Sequence, residues 1–131
     1  MTQKLEMYHC KICGNLVQVI LEGAGELVCC GQPMELVKPN ITEEVKTEYH
    51  IPVYKMTENN QTIIQVGKEP HPMTEEHHIS FIERVSKDNK HVCLQYLEAN
   101  EEPKMLLDKK CDEEKALAFC NLHGLWEGKS D

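Results

Sequence analysis

The sequence predicts an all-β chain in two parts: a small metal-stapled unit over residues 1–38, and a β-sandwich over residues 39–131. Three observations carry this reading. Four cysteines fall in two close pairs, each flanked by glycine, before residue 32. Pro39-Asn40 then breaks the chain, because proline cannot donate to a sheet and asparagine favours a turn. Beyond it come six short stretches of alternating, β-branched character.

Cys10-Lys-Ile-Cys13 is followed after fifteen residues by Cys29-Cys30, with Gly14, Gly23, Gly25 and Gly31 around the pairs. Glycine lets a backbone fold tightly round a metal–thiolate knot. Between the pairs, Leu16–Leu21 reads as a strand, Gly23-Ala-Gly25 as its turn and Glu26–Val28 as a short return strand, which makes a hairpin-like minidomain. So short a segment buries too little apolar area to fold alone, and a metal is expected to contribute to its folding free energy. Zinc and iron both accept four thiolates in a tetrahedron, so the spacing leaves the metal open. Adjacent Cys29 and Cys30 must both turn back on one ion, which is expected to distort that tetrahedron.

Met34–Asn40 reads as a strand running into the linker. The stretches beyond it are Glu44–His50, Pro52–Met56, Thr62–Val66, His77–Val85, His91–Leu97 and Lys104–Leu107, and their spacing suggests a sandwich. Ser86-Lys-Asp-Asn89 marks a hairpin between what read as the two longest strands, since Asp and Asn tolerate turn dihedrals. Residues 111–119 have the composition of a helix but sit among strands, and are assigned as a strand.

The formal charge of -8 and the few aromatics argue against nucleic acid, whose phosphates would be repelled over most of the surface. The N-terminus has no apolar signal core, and no run approaches the length of a membrane span. A cytoplasmic protein is expected. In a reducing compartment, seven cysteines are better explained as metal ligands and buried thiols than as disulfides.

A second donor set gathers around Cys120-Asn-Leu-His123, a thiolate and an imidazole three positions apart. His50, His71 and His77 are the upstream candidates. His71 and His77 bound a loop stiffened by Pro70 and Pro72, and His50 precedes Ile51-Pro52. His77 is preferred to His78 because strand alternation puts it on the face of Ile79 and Phe81. His9, His78 and His91 read as ordinary surface histidines, Cys93 as a buried strand thiol and Cys111 as a surface thiol in a charged turn. Four imidazoles and one thiolate exceed the four ligands of a usual zinc site, and suit a redox iron with one open position.

These motifs resemble a known family. Cys10-x-x-Cys13 with Cys29-Cys30 is similar to the desulforedoxin iron domain. Glu48-x-His50-x-Pro52, His71-Pro-Met-x-Glu-Glu-His77 and Cys120-Asn-x-His123-Gly-x-Trp126 resemble the superoxide reductase domain, and together they match desulfoferrodoxin over essentially the whole chain. The resemblance implies two irons. One is Fe(Cys)4 held by Cys10, Cys13, Cys29 and Cys30; the other is Fe(His)4(Cys), on an immunoglobulin-like sandwich, with His50, His71, His77 and His123 equatorial and Cys120 axial. It also implies one-electron reduction of superoxide to hydrogen peroxide, a homodimer and a small electron donor such as rubredoxin. Glu48 matches the family glutamate that closes the open position in the oxidised state. Between Glu48 and His50 the family carries a lysine that attracts superoxide, and here the residue is Tyr49, which has no positive charge at neutral pH. Two other readings compete: an electron carrier with a vestigial second iron, and a structural zinc ribbon joined to a β-sandwich binding module.

Overall fold

Short apolar runs punctuated by glycine give short strands in the first of two compact units, Met1–Lys38. They are β1 (Met7–His9), β2 (Leu16–Gln18), β3 (Val28–Cys29), β4 (Gln32–Pro33) and β5 (Glu35–Val37). β1 lies between β2 and β5 in an antiparallel sheet, and β3 pairs only with β4. The expected hairpin across Gly23-Ala-Gly25 therefore does not form. The return strand instead folds onto β4 through Cys30 and Gly31, whose φ angles of 53° and 74° are the two left-handed positions of a tight two-residue turn. β1 was missed because three residues beside a cysteine are too few to display alternation.

The computed structural model describes residues 1–41 and 49–130. Glu48 and all but the end of the expected Glu44–His50 strand lie outside the described residues. Among those described there is no helix, and hence none long and apolar enough to cross a membrane.

The second unit, Pro39–Asp131, is built from β6 (Pro52–Met56), β7 (Thr62–Val66), β8 (Ile79–Val85), β9 (Val92–Tyr96), β10 (Lys104–Leu107), β11 (Lys115–Cys120) and β12 (Gly124–Lys129). One sheet runs β10-β7-β6 and the other β12-β11-β8-β9, all antiparallel. This four-on-three sandwich is the immunoglobulin-like layout. Alternation puts Ile64 and Val66 of β7 and Met105 of β10 against Ala116 and Ala118 of β11, and the register shift at Ser80 lets both Ile79 and Ile82 of β8 join the same core.

The strand assignment of 111–119 holds from Lys115 onward. β12 was missed, so the hairpin at Ser86–Asn89 joins the longest strand, β8, to a shorter one. The two spare thiols come out reversed. Cys93 is exposed because β9 is the end strand of its sheet, whereas Cys111 is buried with its sulfur 3.7 Å from Arg84 Nη2.

Candidate metal centres

The first donor set is Cys10, Cys13, Cys29 and Cys30, whose sulfurs all lie within 4.8 Å of one another. The loop between β1 and β2 supplies two of them and the β3–β4 turn supplies the others. Cys13 Sγ is 3.5 Å from Cys29 Sγ, and Cys29 Sγ is 4.0 Å from Cys30 Sγ. A tetrahedron with metal–sulfur bonds of about 2.3 Å has an edge of roughly 3.8 Å, so the four sulfurs fit a single ion. Electrostatics agree with the geometry. The backbone N–H of Cys13 leads in lowering the Cys10 thiol to about 6, while the neighbouring sulfurs push Cys30 up to about 12. Four thiolates this close need a cation among them. Asn15 Nδ2 also donates to Cys29 Sγ at 3.9 Å.

The second set forms in the sandwich, where the turn at the end of β11 meets the loop before β8 and the residues leading into β6. Four imidazoles close a circuit. Neighbouring ring centres are 4.8 Å apart for His50 and His71, 4.7 Å for His71 and His77, 5.1 Å for His77 and His123, and 4.9 Å for His123 and His50. Taken as a square, such a circuit leaves a centre roughly 3.4 Å from each ring. A metal–nitrogen bond of about 2.1 Å plus the ~1.1 Å from nitrogen to ring centre asks for nearly the same distance. His50 Nε2 and His123 Nδ1 are 3.1 Å apart, the spacing of adjacent donors on one ion. Ligand atoms of His50, His77, Cys120 and His123 all lie within 4.8 Å of one another. His71 stands outside that mutual limit but touches the circuit through both neighbours. Cys120 Sγ is 3.7 Å from His123 Nδ1 and fully buried, whereas His123 is exposed. The circuit is thus closed by sulfur on the protein side and reaches water at one corner.

Local contacts aim these rings. His71 Nδ1 lies 2.7 Å from the Pro72 carbonyl, which makes Nδ1 the protonated nitrogen and turns Nε2 toward the circuit. His77 is held by a tight turn in which its N–H donates to Thr74 Oγ1 at 3.1 Å and its carbonyl accepts from Thr74 N at 2.9 Å. His77 precedes β8, so strand alternation is not what selects it over His78. His78 turns away, with Nδ1 3.0 Å from the Thr74 carbonyl. His9 and His91 belong to neither donor set.

Two positioning side chains escaped the sequence reading. Asn121 sews the Cys120–His123 turn to the His77 loop: its Oδ1 accepts from His78 N at 2.9 Å and its Nδ2 donates to the Glu76 carbonyl at 3.0 Å. Trp126 stacks on His50 at 4.6 Å and donates Nε1–H to the His123 carbonyl at 3.1 Å. Both lie in the quoted motif, where an asparagine in a turn was the available signal. Tyr49 is half-buried beside the circuit in sequence, with its carbonyl against Gly67.

Comparison with known proteins gives a consistent set of similarities. The family model described as the desulfoferrodoxin N-terminal domain matches residues 2–37, and the desulfoferrodoxin model matches residues 42–129. A desulfoferrodoxin homologue from Archaeoglobus fulgidus is 42% identical over 97% of this chain and 98% of its own length. A desulfoferrodoxin from Syntrophotalea carbinolica is 42% identical over 98% of this chain and 99% of its own. Among solved structures, the superoxide reductase from Treponema pallidum superposes with a TM-score of 0.72 at 25% identity, covering 98% of this chain and all of that one.

Proposed function

The chain belongs to the desulfoferrodoxin family, and on that premise we propose that it reduces superoxide to hydrogen peroxide at the histidine–cysteine centre. The observation that carries this reading is the closed circuit of four imidazoles with a buried thiol on one side and water on another. The two donor sets fit two iron ions per chain. We assign Cys10, Cys13, Cys29 and Cys30 to the first, and His50, His71, His77, His123 and Cys120 to the second. Neither an electron carrier alone nor a zinc ribbon accounts for the imidazole circuit.

Iron held by the second set would supply one electron and an open position for a small oxyanion. Each turnover takes one superoxide, one electron and two protons and yields one hydrogen peroxide, with no oxygen released. The chain's own groups set the conditions. Buried Cys120, as a thiolate whose charge is unscreened by water, would raise electron density at a metal held there. Exposed His123 leaves that side of the circuit open to solvent, so protons arrive from water and product departs there. From the family resemblance, Glu48 is assigned the role of the family glutamate and Tyr49 the place of the family lysine. The direct test mixes the reduced protein with superoxide and counts products. One peroxide per superoxide is expected, and oxygen formed at half the superoxide consumed would mean dismutation instead.

Tyr49 makes a second expectation. A phenol offers superoxide no opposite charge, and the chain's net charge of -8 repels it. The second-order rate is therefore expected to stay flat or rise as salt screens that repulsion. Tyr49→Lys should raise it about three- to tenfold at low ionic strength and give it a falling salt dependence. An unchanged rate in that variant rules out steering from position 49.

We also assign the protein to the cytoplasm, as a homodimer that receives electrons from a small reduced protein such as rubredoxin. Seven free thiols suit a reducing compartment. The family resemblance supports the dimer and the donor.

A further inference from the structure

We propose that Gly67 and Gly128 are positioning residues for His50: they grip the stretch Tyr49–Pro52 through backbone contacts that leave no room for a side chain. The inference rests on His50 being a ligand of the second centre, as assigned above. Of the seven glycines, five have nothing within 4 Å of where a Cβ would sit; only Gly67 and Gly128 are crowded. The segment Tyr49–Pro52 supplies all three close atoms at Gly128 and two of the three at Gly67.

Gly128 lies in β12 opposite the fully buried Ala116. A Cβ there would stand 2.0 Å from the Pro52 carbonyl oxygen, 3.0 Å from its carbon and 3.2 Å from Ile51 Cγ2. Gly67 follows β7 with φ of +87°, a left-handed conformation that glycine adopts without penalty. Its Cβ would meet the Glu69 oxygen at 2.5 Å and the Tyr49 oxygen at 2.6 Å, and its N–H donates to the Ile51 carbonyl at 3.0 Å. One glycine therefore touches the residue before His50 and the other touches the residue two after it. The ring between them is fixed from both sides.

Magnitude makes this a matter of metal binding. Cβ atoms do not approach other heavy atoms within 3.0 Å, so alanine at 128 must move the Pro52 carbonyl or β12 by about 1 Å. Pro52 has a fixed φ and passes a shift along the backbone instead of absorbing it. Metal–ligand distances tolerate only about 0.2 Å, and a preorganised site about 0.5 Å. A displacement of that size takes His50 out of register with the other three rings, while the cysteine centre in the other unit is untouched.

The test uses the full chain with ferrous ion as the probe, measured by competition with a chelator and by the visible spectrum of each centre. Gly128→Ala is expected to weaken ferrous binding at the histidine set about 10- to 100-fold, with an altered spectrum there and an unchanged four-cysteine centre. Met105→Ala, a core cavity that leaves both glycines and every assigned ligand in place, provides a destabilised comparison. It should bind as the native protein does. Native-like ferrous binding by Gly128→Ala, or an equal loss in Met105→Ala, overturns the inference, as does a Gly128→Ala chain that fails to fold, since the glycine would then serve the sandwich as a whole. His50→Ala separates the two claims. If it leaves ferrous binding unchanged, the ligand assignment is wrong; if it abolishes binding while Gly128→Ala does not, only the positioning role falls.

Discussion

Cys120→Ser is expected to slow the reaction with superoxide by more than about 100-fold, beyond the 10- to 100-fold typical of changes outside the ligand shell. The reasoning starts from position. Cys120 is the last residue of β11, fully buried, where the pairing with β8 shifts register between Phe119 and Cys120. The extra residue, Ser80, lies on β8, and Cys120 keeps the inward phase of Ala116 and Ala118, so the thiol reaches His123 at 3.7 Å. A thiolate is a soft, electron-rich donor, whereas serine at neutral pH offers a protonated hydroxyl with little to give a metal. The substitution therefore removes both a ligand and the electron density that favours transfer to superoxide. The same variant should lose any sulfur-to-metal absorption of the second centre and keep the spectrum of the first. Rapid mixing with superoxide measures the rate, and a value within about threefold of native would exclude Cys120 from the ligand set, since a lost ligand costs more. Burying a hydroxyl costs about 1–3 kcal/mol, so melting curves must accompany the rates.

The sandwich and the donor sets differ in how readable they were. β7 and β10 could be read because one face meets the opposing sheet, which imposes alternation on the residues themselves, while β6, β8 and β9 were legible from their β-branched and aromatic residues. β12 could not, because Gly124 and Gly128 interrupt its pattern, and Gly128 is there to let Pro52 approach. Pairing in the N-terminal unit was misread for a related reason. The β3–β4 turn uses Cys30 in a left-handed conformation, and cysteine carries no such signal. Candidate metal donors were easier, since histidine and cysteine at short spacings advertise their chemistry. What aims them is less visible. Asn121, the Pro72 carbonyl and Trp126 act through single hydrogen bonds or one stacked ring, contacts that exist only once distant segments meet. The preference for His77 over His78 illustrates the difference. Alternation pointed to it, but the ring is placed by a turn closed on Thr74.

Arg84→Met is expected to destabilise the sandwich by about 3–5 kcal/mol, the cost of stranding a buried charge. Arg84 of β8 grips Glu114 with two bonds, Nε to Oε2 at 2.9 Å and Nη2 to Oε1 at 2.8 Å, with side chains only 15% and 8% exposed. Tyr54 of β6 donates to the same carboxylate at 3.0 Å, so the group ties the two sheets together. The backbone of Glu114 also exchanges bonds with Ser130 at the end of β12. At about 4–8 °C per kcal/mol for a unit of this size, the loss should lower the melting midpoint by more than 10 °C. Pairing Arg84→Met with Glu114→Leu removes both charges and should recover most of it, because an apolar pair avoids the desolvation that an ion pair incurs. Acidity gives an independent check. Burial pushes the Glu114 carboxyl up, but the bonds from Arg84 and Tyr54 outweigh it and leave it below its ordinary 4.5. Because the folded value lies below the unfolded one, the stabilisation is complete above pH 4.5 and is lost as pH falls through the folded value. The stability gap between native protein and Glu114→Gln should therefore be widest near neutrality and close on acidification below that point. Taking the difference between the two proteins cancels the protonation of the metal ligands, which they share. A gap that stays constant to acid pH would mean that Glu114 is not held ionised by Arg84.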